Sequence, residues 1–252
     1  MNFFTMSGIF QTILYQPIFN GFVALYNIIP DMGVVILIIT LITKVVLYPL
    51  TNKSIKAQKS LSELQPKLDE IKAKNKGNQQ AIAQETMKLY KENKVNPFGS
   101  CLPLLIQLPI FIALYWVLRA TLTTDNFDLL YPFVQNPGHI NSVTLGLFDL
   151  SKGSVILAVL AGASQFVQAR MFVRKKAPKE AGKAGKDESM TAMMNKQMMY
   201  MMPLLTVLIG YKLPGGLTLY WFLSTILTAG QQLLLFKKDK KDGNVIEGTL
   251  VK

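Results

Sequence analysis

Cysteine and histidine are almost missing: Cys101 and His139 are the only examples in 252 residues. An intramolecular disulfide, a cysteine-rich metal site and a histidine cluster are all excluded, and no cofactor is expected. The first 43 residues hold no Lys or Arg, so the basic region that opens a secretory signal is lacking. There is no early cysteine for a lipid anchor either. GxxxxGK[ST], GxSxG and HExxH do not occur, which argues against an ATP-driven pump or a familiar hydrolase. Acidic residues are absent from every long apolar run, so an intramembrane enzyme would lack its catalytic pair.

What is present is apolar length. Half of the residues are hydrophobic and the mean hydropathy is +0.28. Several runs approach the ~20 residues that a spanning helix needs. The expected fold is all-α: a polytopic membrane protein with five transmembrane helices, at 33–50, 98–118, 154–173, 198–213 and 217–236. Before them, 8–30 reads as an amphipathic interfacial helix, bent near Pro17, with Phe10, Ile13, Leu14, Ile18, Phe22, Leu25 and Ile29 on one face. A first spanning helix is the competing reading there.

Between the first two spans, 51–97 carries ten lysines and five acids. Ala57, Leu61, Leu64, Leu68 and Ile71 keep 4-3-4-3 spacing, Lys76-Gly77-Asn78 supplies a turn, and Ile82, Thr86, Leu89 and Tyr90 continue the stripe. This predicts a helical hairpin, either a docking element or a solvated linker. The Ala/Gly/Lys/Pro-rich stretch 177–186 is expected to be disordered. Met190, Met193 and Met194 suit an adaptable apolar surface or plain packing.

Charge sets the orientation. The hairpin, the 174–197 loop and the tail at 237–252 hold 10, 7 and 5 basic residues, against two in the loop between spans two and three. The positive-inside rule then puts those three segments in the cytoplasm, the N-terminus outside and the C-terminus inside. The net charge of +12 is mainly this topology signal, with anionic lipid or ribosomal RNA as further partners. Specific DNA binding is not expected.

Lys44 lies inside the first apolar run. A lysine at bilayer depth costs about 2.5–3.5 kcal/mol, so it either snorkels or faces a partner, a wet cavity or a functional path. Thr40 and Thr43 set hydroxyls near it. In the predicted orientation Lys44, Gln165, Gln168, Gln231 and Gln232 fall in the inner half of the membrane, and Gln107 sits in span two. Thr218, Trp221, Thr225, Thr228 and Gln232 form a polar stripe on span five at 3-4-3-4 spacing. Such a set suits a wet groove that opens inward and ends partway across. Ordinary interhelical hydrogen bonding, at about 0.6 kcal/mol each, is the plainer alternative. A small-solute or ion transporter using the same lysine also stays open, although no internal repeat is detected. So does a structural scaffold.

The runs NPFGSCLPLLIQLPIFIALYWVL from Asn96, FVQARM from Phe166 and LPGGLTLYWFLSTILTAGQQ from Leu213 resemble the signature stretches of the YidC/Oxa/Alb family of membrane protein insertases. LQPKLDEIKAK from Leu64 and QETMKLYKENKVNP from Gln84 resemble its cytoplasmic hairpin. The likeness runs in order from about residue 10 to 236. It implies a chaperone-like insertase, not an enzyme, in the bacterial cytoplasmic membrane. Its clients would be nascent membrane proteins delivered by the ribosome, with or without the Sec translocon. The resemblance maps the family's groove cation, usually arginine, onto Lys44, its groove glutamine onto Gln168 and its groove aromatic onto Trp221. Thr225 stands where many members have asparagine. Lysine keeps the charge but loses arginine's planar fork. The implied substrate groove comprises Lys44, Gln107, Gln165, Gln168, Trp221, Thr225, Thr228 and Gln232. The large extracytoplasmic domain and extra N-terminal span of Gram-negative members have no counterpart, which resembles the short form of bacteria with one membrane.

Overall fold

The computed structural model describes residues 8–75, 77–96, 102–122, 127–171 and 197–241. Cys101, the 177–186 stretch, the three methionines at 190, 193 and 194, and the tail after 241 lie outside them.

The chain begins with α1 (Gly8–Phe10), a π turn (Gln11–Tyr15) and α2 (Gln16–Ile28). Pro17 explains the wide turn: it has no N–H for the ladder, and its ring would collide with the carbonyl four residues back. The same device recurs at a second π turn (Gln197–Met201), immediately ahead of Pro203 at the start of a later helix.

Helix α3 (Met32–Val46) is capped by Asp31, whose side chain accepts from the Val34 N–H at 3.1 Å. It stops at Val46 and turns by 70° into α4 (Tyr48–Lys74). The expected span to Leu50 is therefore shorter and the hairpin starts earlier. Hydropathy runs on through Tyr48 and Leu50, but Pro49 cannot bond to the Val45 carbonyl and forces the break. The turn at Gly77 is as expected: Gly77 has φ +84°, and Asn78 caps α5 (Gln79–Glu92) by accepting from the Ala81 N–H. Leu64 and Leu68 are buried, and Ile82, Thr86, Leu89 and Tyr90 are the half-buried face of α5.

Helix α6 (Leu102–Leu122) runs through Pro109. After it come a two-stranded antiparallel hairpin, β1 (Val143–Thr144) and β2 (Phe148–Asp149), then α7 (Val155–Arg170), α8 (Met202–Gly210) and α9 (Gly215–Lys241). Relative to the expected 154–173, 198–213 and 217–236, the helices α7 and α8 are shorter and α9 longer. Among the described residues two helices are long and apolar enough to cross a membrane, Leu105–Leu122 and Gly215–Lys237, with a third if the bent α3–α4 pair is one span. Helix α7 and the Met199–Gly210 segment are shorter apolar helices.

Helix α9 is the axis of the bundle, touching α3, α4, α6, α7 and α8. Side chains from Phe19, Phe22, Met32, Ile36, Leu114, Leu118, Leu217 and Tyr220 are essentially inaccessible and form one core. Those from α3, α6 and α9 come from the half of the helix that adjoins the 127–154 loop, and Phe19 and Phe22 of α2 pack on them, so that end of the bundle is dry. The loop at 127–154 closes it. Asn20 donates to the Leu129 carbonyl (3.0 Å) and accepts from the Tyr131 N–H (2.6 Å); Asn27 donates to the Gln135 carbonyl (2.7 Å). The amides of Gly215 and Gly216 donate to the carbonyls of Lys152 and Leu150. A side chain at Gly153 would overlap the Tyr211 carbonyl, and one at Gly33 would overlap the Thr144 hydroxyl, so both contacts need glycine.

Asp31 ties the hairpin to α3, accepting from the Thr144 hydroxyl and from the Leu145 N–H at 3.0 Å. Partial burial raises its pKa, but the bonds from Thr144 and from the amides of Leu145, Val34 and Gly33 outweigh this and hold it below the usual carboxylate value. The stabilisation is thus present above the ordinary aspartate range and is lost as pH falls through the depressed folded value. In Asp31→Ala at neutral pH, amide exchange over 141–147 should rise by about tenfold or more, since hydrogen bonds to a charged group are worth about 1.5–3 kcal/mol. Exchange read by mass spectrometry checks this.

Candidate functional site

At the end opposite the dry core the helices present polar groups. Lys44 lies in the last turn of α3, at the elbow with α4, because Pro49 ends the helix there. A cation at a helix C-terminus also complements the dipole. Its Nζ donates to the Thr228 Oγ1 of α9 at 2.8 Å. Thr40 and Thr43 are not its partners: their hydroxyls donate to the carbonyls of Ile36 and Ile39 in their own helix.

The Thr228 hydroxyl donates in turn to the Ser224 carbonyl. The Ser224 hydroxyl lies beside the Tyr220 hydroxyl, which accepts from Gln107 Nε2 of α6 at 2.6 Å. Tyr220, Ser224 and Thr228 are thus successive rungs at i, i+4 and i+8 on one face of α9, with Gln107 at one end and Lys44 at the other. Ser224 is buried and Tyr220 almost fully so. One turn further in, Gln231 Nε2 donates to Asn52 Oδ1 of α4 at 2.6 Å, fastening the hairpin's root to the bundle. Lys59 of α4 also stands over the Phe236 ring, 5.7 Å from its centroid.

The remaining residues of the expected groove are distributed differently. Trp221 packs edge-on against Phe111 of α6, centroids 5.3 Å apart, and Thr225 donates to the Trp221 carbonyl. Gln165 of α7 accepts from Thr206 of α8 and so joins those two helices. Gln168, near the end of α7, is half-buried and makes no side-chain hydrogen bond among the described residues. Gln232 is buried, and its Oε1 has no partner among them. Thr218 donates to the Gly210 carbonyl, so the stripe read at 3-4 spacing divides among neighbours.

Sequence reading missed Tyr220, Ser224 and Asn52. The signal was there for the first two: counting back from Thr228 in steps of four gives Ser224 and Tyr220. Asn52 had no local signal, because its partner lies 179 positions away.

A helical membrane protein with one end packed dry and closed by a loop, and a lysine among polar side chains toward the other, is the class this fold and site define. The chain belongs to the family described as 60Kd inner membrane protein, whose model matches residues 24–242. It is 35% identical over 208 residues to a protein of Fusobacterium nucleatum named membrane protein insertase YidC, covering 82% of this chain and 87% of that one. It is also 35% identical over 230 residues to a protein of the same name from Tolumonas auensis, covering 90% of this chain but 37% of the relative. A solved structure, described as an active YidC insertase with the first transmembrane domain resolved, matches with a TM-score of 0.56 and 27% identity over 88% of this chain. This chain spans 46% of that one.

The Gln107–Tyr220 bond can be measured directly. Gln107→Leu or Tyr220→Phe alone should each destabilise the protein by about 1–3 kcal/mol, because each strands a polar partner. The double variant should cost less than the two singles added. Thermal unfolding in detergent supplies the cycle.

Proposed function

We propose that this chain is a membrane protein insertase that passes nascent membrane proteins from the cytoplasm into the bilayer through a cleft lined by Lys44, Thr228 and Gln107, with Ser224 and Tyr220 buried behind them. The observation that carries the reading is the Lys44–Thr228 bond at 2.8 Å, a cation held inside the bundle by one exchangeable neutral partner. In this reading α3, α6, α7, the short helix ending in α8, and α9 are the five spans, and 8–30 lies in the outer interface with Ile9, Ile13 and Ile28 exposed to lipid. The N-terminus is outside, and the basic hairpin and C-terminus are in the cytoplasm of a bacterial cell. Helices α3, α7 and α9 start at the sealed end, so the sealed loop faces outward and the cleft inward. The apolar side chains exposed on α7 and α8, among them Val159, Leu160, Leu204 and Leu208, face lipid.

No covalent chemistry is required. A client's short polar tail, often acidic, enters the cleft, where Lys44 leaves Thr228 for the incoming carboxylate or carbonyl. The amides of Gln107 and Gln168 replace further water. The apolar distance left to cross is thereby shortened. The client's hydrophobic segment then slides along α6 and α8 into lipid, driven by burial at about 25 cal/mol per Å² and assisted by the membrane potential. The hairpin and basic tail hold the ribosome, the Sec translocon or anionic lipid close by. Trp221, Thr225, Gln165 and Gln232 shape the wall behind Lys44.

Photocrosslinkers at Thr228 and Gln168 should capture a nascent single-span protein during translation, and only when its hydrophobic segment is intact. Lys44→Ala should lower insertion of an acidic-tailed client several-fold while sparing a neutral-tailed one. Equal insertion of both by the variant would rule out the role given to Lys44.

A further inference from the structure

From Leu129 to Phe148 twenty consecutive residues include no Asp, Glu, Lys or Arg. That is a strange composition for a loop immersed in water, where charged residues normally dominate exposed positions. Three large apolar side chains in it stand almost free: Phe133 is 83% exposed, Leu145 74% and Leu147 78%. The hairpin tip holds the two leucines outward by its backbone. Leu145 has φ +51° and Gly146 φ +68°, the left-handed pair that favours Asn or Gly in an aqueous turn. Here the first position is a leucine, and Asp31 secures it through the Leu145 N–H and the Thr144 hydroxyl.

The tip's position says what it meets. Gly33, Leu37, Leu41 and Val45 are spaced by four and form one row along α3. Thr144 covers Gly33, and Leu37, Leu41 and Val45 are exposed. The hairpin therefore sits on the outer end of a lipid-facing row. Helix α3 has 15 residues, about 22 Å at ~1.5 Å each, against ~30 Å of hydrocarbon. Apolar side chains placed just past its end continue the surface that the helix is too short to supply. Phe133 is held in a similar way beside the interfacial helix, where Asn20 fixes the Tyr131 backbone and the Tyr131 and Phe133 rings lie 5.3 Å apart.

We infer that the outer loop is a membrane anchor, with Phe133, Leu145 and Leu147 seated at the boundary between headgroups and acyl chains of the outer leaflet. The inference rests on the orientation proposed above for its choice of leaflet. Anchoring would hold the Asp31-fastened cap flush with the bilayer on the side away from the cleft, using apolar contact alone, so it is insensitive to salt and to headgroup charge.

The test uses the full-length protein in lipid nanodiscs, in a Cys101→Ser background, with the fluorophore NBD attached at Phe133→Cys, Leu145→Cys or Leu147→Cys. Asn136→Cys, an exposed polar site on the same loop, is the reference. Lipids bearing a nitroxide near the top of the acyl chain should quench the three apolar sites several-fold more than the reference, and aqueous iodide should do the reverse. Iodide quenching at 145 and 147 equal to that at 136 would overturn the anchor. Protection of those sites only when a ribosome-bound client is present would overturn it in favour of a polypeptide ligand. Labelling of Asn136→Cys by an impermeant maleimide in intact cells reports the side separately; failure to label would overturn the outer-leaflet assignment through the orientation, whatever the depth measured in nanodiscs.

Discussion

An ammonium group inside a helical bundle has to be solvated by something, and the architecture follows from how Lys44 is solvated. A compensating carboxylate would neutralise the charge and close the site. The partner used is a threonine hydroxyl, which satisfies one of three donors and leaves the charge in place. Such a weakly held cation is best tolerated where water or a ligand can reach it. The opposite end is built differently, from the dense core of Phe19 to Tyr220 and the loop fastened by Asn20, Asn27 and Asp31.

The two ends are linked through α9. Its first turns, with Leu217 and Tyr220, belong to the apolar core, and its later turns supply Ser224, Thr228 and Gln231 to the polar end and to the hairpin root. One helix therefore carries the change from dry to polar along its own length. The bend at Leu47 places the basic hairpin directly beside that polar end, with Asn52 and Lys59 as its attachments. The position of the basic hairpin is thus set by the same proline that places the lysine.

Much of this was legible in the residues. Lys44 stood out as a cation well inside the first apolar run, Gly77 as a turn, and the order of helices followed from hydropathy and charge. Other features were hidden for identifiable physical reasons. The end of α3 was read four residues late because Leu50 prolongs the hydropathy past the proline that breaks the helix. On the N-terminal helix the expected face shares Phe22 with the buried set, and Phe10, Leu14, Ile18 and Leu25 pack half-buried against it, but Tyr15, Phe19, Val23 and Tyr26 fall off the 3-4 pattern and Ile13 is exposed. On α9 two polar periodicities overlap, and the 3-4 stripe concealed the 4-4 ladder through Tyr220 and Ser224. The partner of Gln165 was hidden because depth can be read from sequence, whereas azimuth depends on Thr206 of a helix far along the chain.

The threonines have one more consequence. Thr43 and Thr228, the half-buried members, each give their hydroxyl proton to a carbonyl one turn back, so what each can offer outward is its oxygen lone pairs. Along this wall the hydroxyls act as proton acceptors, and the donors are an ammonium and glutamine amides. A peptide docking there would find its N–H groups met by shallow, interchangeable hydroxyl oxygens and its carbonyls by few deep donors. That asymmetry favours motion over residence: the backbone can step from one oxygen to the next without being caught, while a single negative charge is still recognised once, at Lys44.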